Sequence, residues 1–429
     1  MALWTVHGNG RRLADDAVVG TGERLSWPVT VGFGLQHLAA MFGATTLVPL
    51  LTGLPVSTTL LLSGVGTLLF LFVTRNRVPS YLGASLAFVV PLNAAQQGGA
   101  GPAALLGGIL VVGLVVVAVG IAVKALGVRL LESAMPPVVA GAVVMMIGLS
   151  LAPQSISAFH RQPVAAAITL GTVVLVTALG RGMFFRMSVL AGVLAGWGYA
   201  VLTERVAPER LEALHGAPWF GTPELIVPHV QLSVVPFLLP LTIVLVAEHV
   251  GHVKAVAALT GRNLDSSVGD ALIGGGLATT LAGSAGGAAT VTYSENIGVM
   301  AATRVYSTAA CMVAAAGAVL LSFSPKFTAL INTVPVGVLG GATLVLFGML
   351  ALIGMRIWTE AGVDLSDPVN LSVLGTALVA SVGGLTLSLG DVRVTGVVWG
   401  SVGIVLVHPV LRRIADALGR SRGGERQAP

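Results

Sequence analysis

Charged side chains are scarce in this sequence: they make up 10% of its 429 residues, whereas 55% are hydrophobic. An ordinary soluble domain carries about a quarter of charged residues, so this composition excludes a soluble globular protein. Cys311 is the only cysteine, which excludes an intramolecular disulfide. Aromatic residues reach only 5%, and the basic residues are scattered through loops without forming a stripe with aromatics, so a nucleic-acid-binding surface is excluded as well. This composition is typical of a chain that is embedded in a lipid bilayer.

Apolar runs that are long enough to cross a bilayer recur from Pro28 to Leu411, and we count about fourteen of them. The 56 glycines suit closely packed membrane helices, because small residues let helix backbones approach each other. We therefore predict an all-α polytopic membrane protein. The predicted spans start near Trp27, Ser57, Ser80, Ala104, Met135, Ala165, Ser188, Ser233, Val268, Thr290, Tyr306, Val334, Pro368 and Val394.

The longest polar interruption divides the predicted spans into seven and seven. We assign residues 1–26 to a cytoplasmic tail without a signal peptide, 27–204 to the first repeat, 205–231 to an extracytoplasmic linker, 232–412 to the second repeat and 413–429 to a cytoplasmic tail. An odd number of spans in each half inserts the halves in opposite directions, which is the arrangement of inverted-repeat transporters.

This orientation agrees with the distribution of positive charge. All but five of the 23 Lys and Arg fall in segments assigned to the cytoplasm, as expected for an inner-membrane protein with both termini inside. The five exceptions are Arg161, Arg205, Arg210, Lys326 and Arg393.

The third span of each half is short and begins with β-favouring or proline-containing residues, at 78–88 and 288–298. Paired interrupted spans are the best sequence indication of a midplane binding site. Extended backbone at that depth has to be buried in protein, so we predict two short antiparallel strands that pair with each other.

Two acidic residues, Glu248 and Glu295, lie deepest in apolar segments, where a charge costs roughly 2.5 to 3.5 kcal/mol. Such residues are functional by default. Ser294 is a good N-cap and would place Glu295 in a first helical turn, where exposed N–H groups favour its ionised form. Glu248 lies in mid-helix without this support and should accept a proton more readily.

His252 follows Glu248 by four residues and shares its helical face, so it is the candidate proton relay. His249 is rotated by about 100° and is expected to face elsewhere. The order Glu-His-x-x-His differs from the His-Glu-x-x-His of zinc proteases, and we predict neither a metal nor a cofactor.

Residues Glu295 to Arg304 read E-N-I-G-V-M-A-A-T-R, which resembles the E/Q-N-x-G-x-x-x-x-T-R signature of the nucleobase–ascorbate transporter family. The segments around Gln36-His37, Pro79 to Gly83 and Glu248 to His252 also resemble bacterial uracil permeases. The similarity covers nearly all of the membrane portion. It implies a core domain of spans 1–4 and 8–11 that moves against a gate domain of spans 5–7 and 12–14.

The resemblance also implies that Glu248 and Glu295 bind the base. Further candidates for substrate contact are Tyr293, Ser294, Leu86, Ala87 and Phe347, and the supporting candidates are Gln36, His37 and Asn296. Leu86 stands where uracil permeases place an aromatic residue, and Phe347 replaces an expected gate tyrosine. Glutamate at the first signature position favours uracil, whereas glutamine is found more often in xanthine or urate carriers.

We therefore expect a uracil:proton symporter that binds its small-molecule substrate within the bilayer and does not bind nucleic acid. A purine or inorganic-anion carrier on the same fold is the alternative, and an intramembrane enzyme is a third hypothesis. Assembly as a homodimer stays open.

Overall fold

The computed structural model describes residues 4–10, 17–128, 136–150, 152–180, 188–385, 387–389, 392–394 and 396–418. Most of the predicted carboxy-terminal tail therefore lies outside the described residues. Within them the chain is predominantly helical. It divides into two compact units, one formed by residues 1–130 and 153–345 and the other by residues 131–152 and 346–429.

The helices of the first half are α1 (Trp27–Thr52), α2 (Val56–Val73), α3 (Val89–Gln97), α4 (Pro102–Leu126), α5 (Pro137–Ser150), α6 (Ala152–Arg161), α7 (Pro163–Leu179) and α8 (Ser188–Leu202). Most of them begin within two residues of a predicted span start, whereas α3 begins nine residues after Ser80 and α6 has no predicted counterpart. Proline opens α4 and α7, where its missing N–H is not needed by the helix.

The second half begins after a short linker helix, α9 (Pro208–Gly216). Its helices are α10 (Val235–Leu238), α11 (Leu241–Thr260), α12 (Val268–Ala285), α13 (Ser294–Thr303), α14 (Thr308–Ser322), α15 (Pro325–Asn332), α16 (Val336–Glu360), α17 (Pro368–Val382) and α18 (Gly396–Ala417).

Six helical stretches among the described residues are long and apolar enough to cross a membrane. They are Trp27–Thr52, Val56–Val73, Pro102–Leu126, Pro137–Arg161, Val235–Thr260 and Val336–Glu360. A seventh is gained if α14 and α15, which meet at an angle of 88°, count as one broken span. The chain is thus a multi-pass membrane protein by these criteria, and the count of fourteen spans stays a prediction.

Glycine allows very close packing between α4 and α12 in the first unit. A Cβ atom added to Gly113 would lie 2.5 Å from the main-chain nitrogen of Thr280, and one added to Gly276 would lie 2.7 Å from that of Val117. The two backbones are therefore in direct contact, as expected where small residues line a membrane-helix interface. Lys124 and Asp270 form an ion pair at the end of this interface, with 2.5 Å between nitrogen and oxygen.

The amino-terminal segment packs against the turn that follows α13. Its strands β1 (Thr5–Val6) and β2 (Glu23–Arg24) pair in parallel. The main chain of Val19 donates to Arg304 O (3.0 Å) and accepts from Tyr306 N (2.9 Å), and the Val19 side chain is buried with Leu25 and Val305. This segment is therefore tied to the end of the helix that carries the signature motif.

The linker between the two halves, at residues 205–231, runs across the ends of four helices. Main-chain hydrogen bonds join Gly221 N to Phe323 O (2.9 Å), Ile226 N to Ala285 O (3.2 Å) and His229 N to Ala103 O (2.8 Å). Arg210 adds bonds to the carbonyls of Asn332 and Val334, at 2.9 and 3.0 Å. The polar interruption in the sequence is thus an ordered strap on the first unit.

The second unit contains α5, α17, α18 and the antiparallel strands β5 (Leu387–Leu389) and β6 (Val392–Val394). Asp367 caps α17 by accepting from Val369 N and Asn370 N, and it pairs with Arg412 at 2.8 Å. His408 in α18 bonds to Asn370 at 2.9 Å. These contacts fasten α18 to the start of α17.

Candidate functional site

Two short strands lie at the centre of the site, where the sequence predicted them. Strand β3 (Leu82–Ala84) pairs antiparallel with β4 (Thr290–Thr292), and all six residues are buried. The ladder is extended by Tyr293 N to Tyr81 O (3.1 Å) and by Ser85 N to Ala289 O (2.8 Å). Each strand thus provides hydrogen-bond partners for the main-chain N–H and C=O groups of the other, which lipid could not provide.

Each strand leads into a helical segment that presents candidate residues. A 3₁₀ turn (Leu86–Phe88) follows β3 and contacts α11, and α13 follows β4. Leu86 is partly exposed, whereas Ala87 is buried. The predicted interruption of both spans is confirmed, because strand and helix succeed each other within a few residues.

Glu295 occupies the first turn of α13, as predicted, and its carboxylate accepts from its own main-chain N–H. The expectation for Ser294 was wrong by one residue. Tyr293, with φ of −92° and ψ of 126°, occupies the N-cap position, and the helix begins at Ser294 itself. The Ser294 side chain lies outside what the structure describes. Glu295 still lies where unpaired helical N–H groups favour an anion.

Glu248 lies in the first half of α11, which contacts α13. Its carboxylate interacts electrostatically with that of Glu295, so the two acidic residues lie near each other. The Oε2 atom of Glu248 is buried and has no hydrogen-bond partner among the described residues. A buried acceptor without a partner costs about 1 to 3 kcal/mol, which a ligand that donates a hydrogen bond would offset.

The supporting candidates join α1 to α13. Asn296 Nδ2 lies 2.9 Å from His37 Nδ1 and donates to His37 O at 3.1 Å. Gln36 Oε1 and Asn296 Oδ1 are buried without partners in the part of the chain that the structure describes. His37 and Asn296 therefore brace the signature helix, while an acceptor atom on each of Gln36 and Asn296 is left for other groups.

Tyr293 is buried, and its hydroxyl group is engaged by protein. It donates to Ala84 O at 2.6 Å and accepts from Thr45 Oγ1 at 3.1 Å. Thr45, a residue that sequence reasoning missed, therefore links α1 to both strands. The only signal for it was a small polar residue in an apolar helix, which is common in membrane proteins.

The two histidines of α11 contact the two interrupted segments. His252 Nε2 lies 3.2 Å from Pro79 O, just before β3, and His249 Nδ1 lies 3.2 Å from Thr292 Oγ1 in β4. Both side chains are buried. Thr292 is a second residue that the sequence analysis did not single out.

Phe347 lies in α16 and belongs to the second unit, where its side chain is buried. Its predicted role in substrate contact stays a prediction. The remaining candidates, from Gln36 to Asn296, belong to the first unit.

Solved structures of similar fold are membrane transporters. The murine Slc26a9 anion transporter matches with a TM-score of 0.66 and 12% identity over 95% of this chain and 70% of its own. In another SLC26A9 structure, the chain spans 65% of that protein. The transmembrane domain of the cyanobacterial bicarbonate transporter BicA matches with a TM-score of 0.58 and 14% identity, over 82% of this chain and 94% of that domain. At these identities the likeness concerns the fold alone.

Relatives of known sequence are much more similar. RutG of Escherichia coli (strain K12), which carries the name of a pyrimidine permease, is 44% identical over 93% of both chains. The uracil permease of Bacillus caldolyticus is 37% identical over 89% of this chain and 91% of its own. The model of the Permease family (Xan_ur_permease) matches residues 29–390. With the signature at Glu295 to Arg304, these matches show that the chain is a transporter that belongs to the nucleobase–ascorbate transporter family.

Proposed function

We propose that this protein imports uracil together with a proton across the inner membrane. The observation that carries the proposal is the meeting of Glu248 and Glu295 beside the β3–β4 pair, with Oε2 of Glu248 unpartnered among the described residues. The similarity to proteins named uracil and pyrimidine permeases supports the same substrate class.

The chemistry of uracil suits this arrangement. Its ring presents N–H donors beside carbonyl acceptors, so an ionised carboxylate can accept from an N–H group while a protonated carboxyl group donates to a carbonyl. Glu295 is held at a helix start that favours its ionised form, whereas Glu248 has no such support. We assign the acceptor role to Glu295 and the proton-carrying role to Glu248.

Proton coupling follows from the linkage between substrate and proton. A protonated Glu248 can donate to the base, and an empty, ionised Glu248 is disfavoured beside another carboxylate in a site of low polarity. The substrate therefore binds best when the proton is present. His252, which follows Glu248 by four residues on α11, is the proposed relay. Its Nδ1 has no hydrogen-bond partner among the described residues.

An anion carrier is the alternative that the similar solved structures raise. The two carboxylates argue against it, since like charges at close range repel an anionic substrate. A purine carrier differs from a uracil carrier in the size of the base that it accepts. Leu86 and Phe347 are the proposed contacts whose size would select between the two bases. Competition of labelled uracil uptake by xanthine, sulfate and bicarbonate distinguishes the three.

The proposed transport cycle uses the core domain of spans 1–4 and 8–11 moving against a gate domain of spans 5–7 and 12–14, within a seven-plus-seven inverted repeat. Both termini are proposed to face the cytoplasm, and the linker the outside. Labelling of single cysteines introduced near residues 20 and 215, in a variant without Cys311, tests this orientation.

The deciding experiment is uptake into proteoliposomes with and without an inward proton gradient. We expect concentrative uracil uptake only with the gradient, and alkalinisation of the medium on uracil addition. Uptake of xanthine in preference to uracil would replace the substrate, and uptake that ignores the gradient would remove the proton from the proposal.

A further inference from the structure

His249 is enclosed by three different elements of the first unit. Its ring stacks on Phe70 of α2, with 6.5 Å between ring centroids and 28° between planes, and Nδ1 shares a hydrogen bond of 3.2 Å with Thr292 Oγ1 of β4. The third neighbour is Gly275 of α12, where an added Cβ would overlap the imidazole. The side chain is fully buried. Such a ring has no freedom to reorient without displacing one of these elements.

The ring offers no onward route for a proton within the described residues. Its second nitrogen, Nε2, faces Gly275 and has no hydrogen-bond partner among them. Since the main chain of α12 lies directly against Nε2, no group can reach that nitrogen, and His249 has a polar partner on one side only. Its contacts are those of a structural link between α11 and β4.

A second link lies one turn further along the same helix. His252 and His249 are three residues apart and share one face of α11, and His252 Nε2 contacts Pro79 O ahead of β3. Because β3 and β4 are neighbours in the strand pair, this face of α11 is attached at two points to both interrupted segments. Two attachments fix the rotation of a helix about its axis as well as its position along it.

Glu248 directly precedes His249 and projects from α11 about 100° away from it. Glu295 follows Thr292 by three residues at the start of α13. The bond between His249 and Thr292 therefore joins the element that carries one carboxylate to the strand that leads to the other. We propose that His249 is a positioning residue, which sets the distance and direction between Glu248 and Glu295 through Thr292.

The test uses two matched substitutions on the strand side of this bond. Thr292→Val keeps the shape of the side chain and removes the hydroxyl group, whereas Thr292→Ser keeps the hydroxyl group. We expect the Thr292→Val variant to bind uracil about threefold to tenfold more weakly, the range of one lost hydrogen bond, and the Thr292→Ser variant to bind like the parent protein. At saturating uracil the concentration ratio reached under a proton gradient should be the same in all three proteins, since no proton carrier is removed.

A second substitution approaches the ring from the opposite side. Gly275→Ala should also weaken binding, and in combination with Thr292→Val it should add less than its separate effect, because both act on the same bond. If Gly275→Ala prevents folding, the Thr292 pair alone decides. Equal affinity of the Thr292→Val variant and the parent protein, equally poor binding by both Thr292 variants, or loss of gradient-driven accumulation with intact counterflow would each overturn the proposal.

The expected change in affinity rests on the proposed function, so a readout without substrate is needed. Hydrogen–deuterium exchange of peptides that cover residues 287–303 should be faster in the Thr292→Val variant than in the Thr292→Ser variant. A parent protein that binds no uracil would refute the proposed substrate, and the exchange rates would then decide the role of His249 by themselves: unchanged exchange in the Thr292→Val variant would overturn it.

Discussion

Tyr293 and Ala84 are joined by a hydrogen bond of 2.6 Å between the phenol hydroxyl and the main-chain oxygen. The bond connects Tyr293, two positions before the signature motif, to the last residue of β3, 209 positions earlier in the chain. Gly83 precedes Ala84 in β3 and packs against the same ring, since an added Cβ would overlap the Tyr293 ring and lie 2.5 Å from Thr45 Oγ1. The strand pair, the tyrosine and α1 are therefore packed as one piece.

We predict that Gly83→Ala disrupts this packing. Overpacking of a close contact typically costs 1 to 3 kcal/mol, and here the displaced group is the tyrosine that holds both strands. A lower thermal unfolding midpoint in detergent and weaker uracil binding are expected. Gly198→Ala is the matched control, since no atom lies within 4 Å of its added Cβ. Equal stability of the two variants would show that the contact is not restrictive.

Glu295→Gln is expected to abolish or severely weaken uracil binding. An ionised acceptor at a helix start becomes a neutral amide that also presents a donor, and the loss should be about 1.5 to 3 kcal/mol, typical of a hydrogen bond to a charged group. Calorimetric titration of the purified protein measures it. Glu209→Gln, on the exposed side of the linker, is the control. Unchanged affinity in the Glu295 variant would refute the assignment.

Glu248→Gln should separate binding from coupling. The amide can still donate a hydrogen bond to a carbonyl of the base, so some exchange of uracil is retained. It cannot bind and release a proton during the cycle, so coupling should be lost. Counterflow of labelled uracil and gradient-driven uptake should be measured side by side in proteoliposomes. A variant that still concentrates uracil against its gradient would falsify the role of Glu248 in proton coupling.

Leu86→Phe should tighten uracil binding. Stacking of a base on an aromatic ring contributes roughly 1 to 3 kcal/mol in single-strand-binding proteins, and an aliphatic side chain supplies only part of this. Leu86 is partly exposed at the turn that contacts α11, which leaves room for the larger ring. Leu86→Met changes the shape without adding a ring and serves as control. Weaker binding by the Leu86→Phe variant would mean that another side chain already fills this position.

Local features of the sequence were sufficient to predict several helix starts and the two short strands of the site. Helices begin at Trp27, Ser188, Val268 and Pro368 as predicted, because apolar length, proline and flanking polar residues act within one element. The strands at 82–84 and 290–292 were predicted for the same kind of reason, since β-favouring residues interrupt two equivalent spans. The Ser294 cap was wrong by one residue, an error within the usual uncertainty of helix ends.

The sequence pointed to the two acidic residues of the candidate site but not to the small residues that pack around it. Glu248 and Glu295 are recognisable from the sequence, because an acidic residue within an apolar segment is costly whatever its contacts are. Thr292, Thr45 and Gly275 do not stand out, since threonine and glycine are common in membrane helices and their roles depend on what they face.

The sequence by itself therefore determined that the chain is a membrane transporter with two interrupted spans, a family signature and two glutamates in apolar segments. Only the tertiary structure decided that His249 contacts Thr292, that Tyr293 bonds to Ala84 and that Val19 pairs with Val305. The physical reason is distance along the chain. Hydrophobic length and helix-start preferences are properties of neighbouring residues, whereas these contacts join positions that are 43, 209 and 286 residues apart and exist only after the helices have packed.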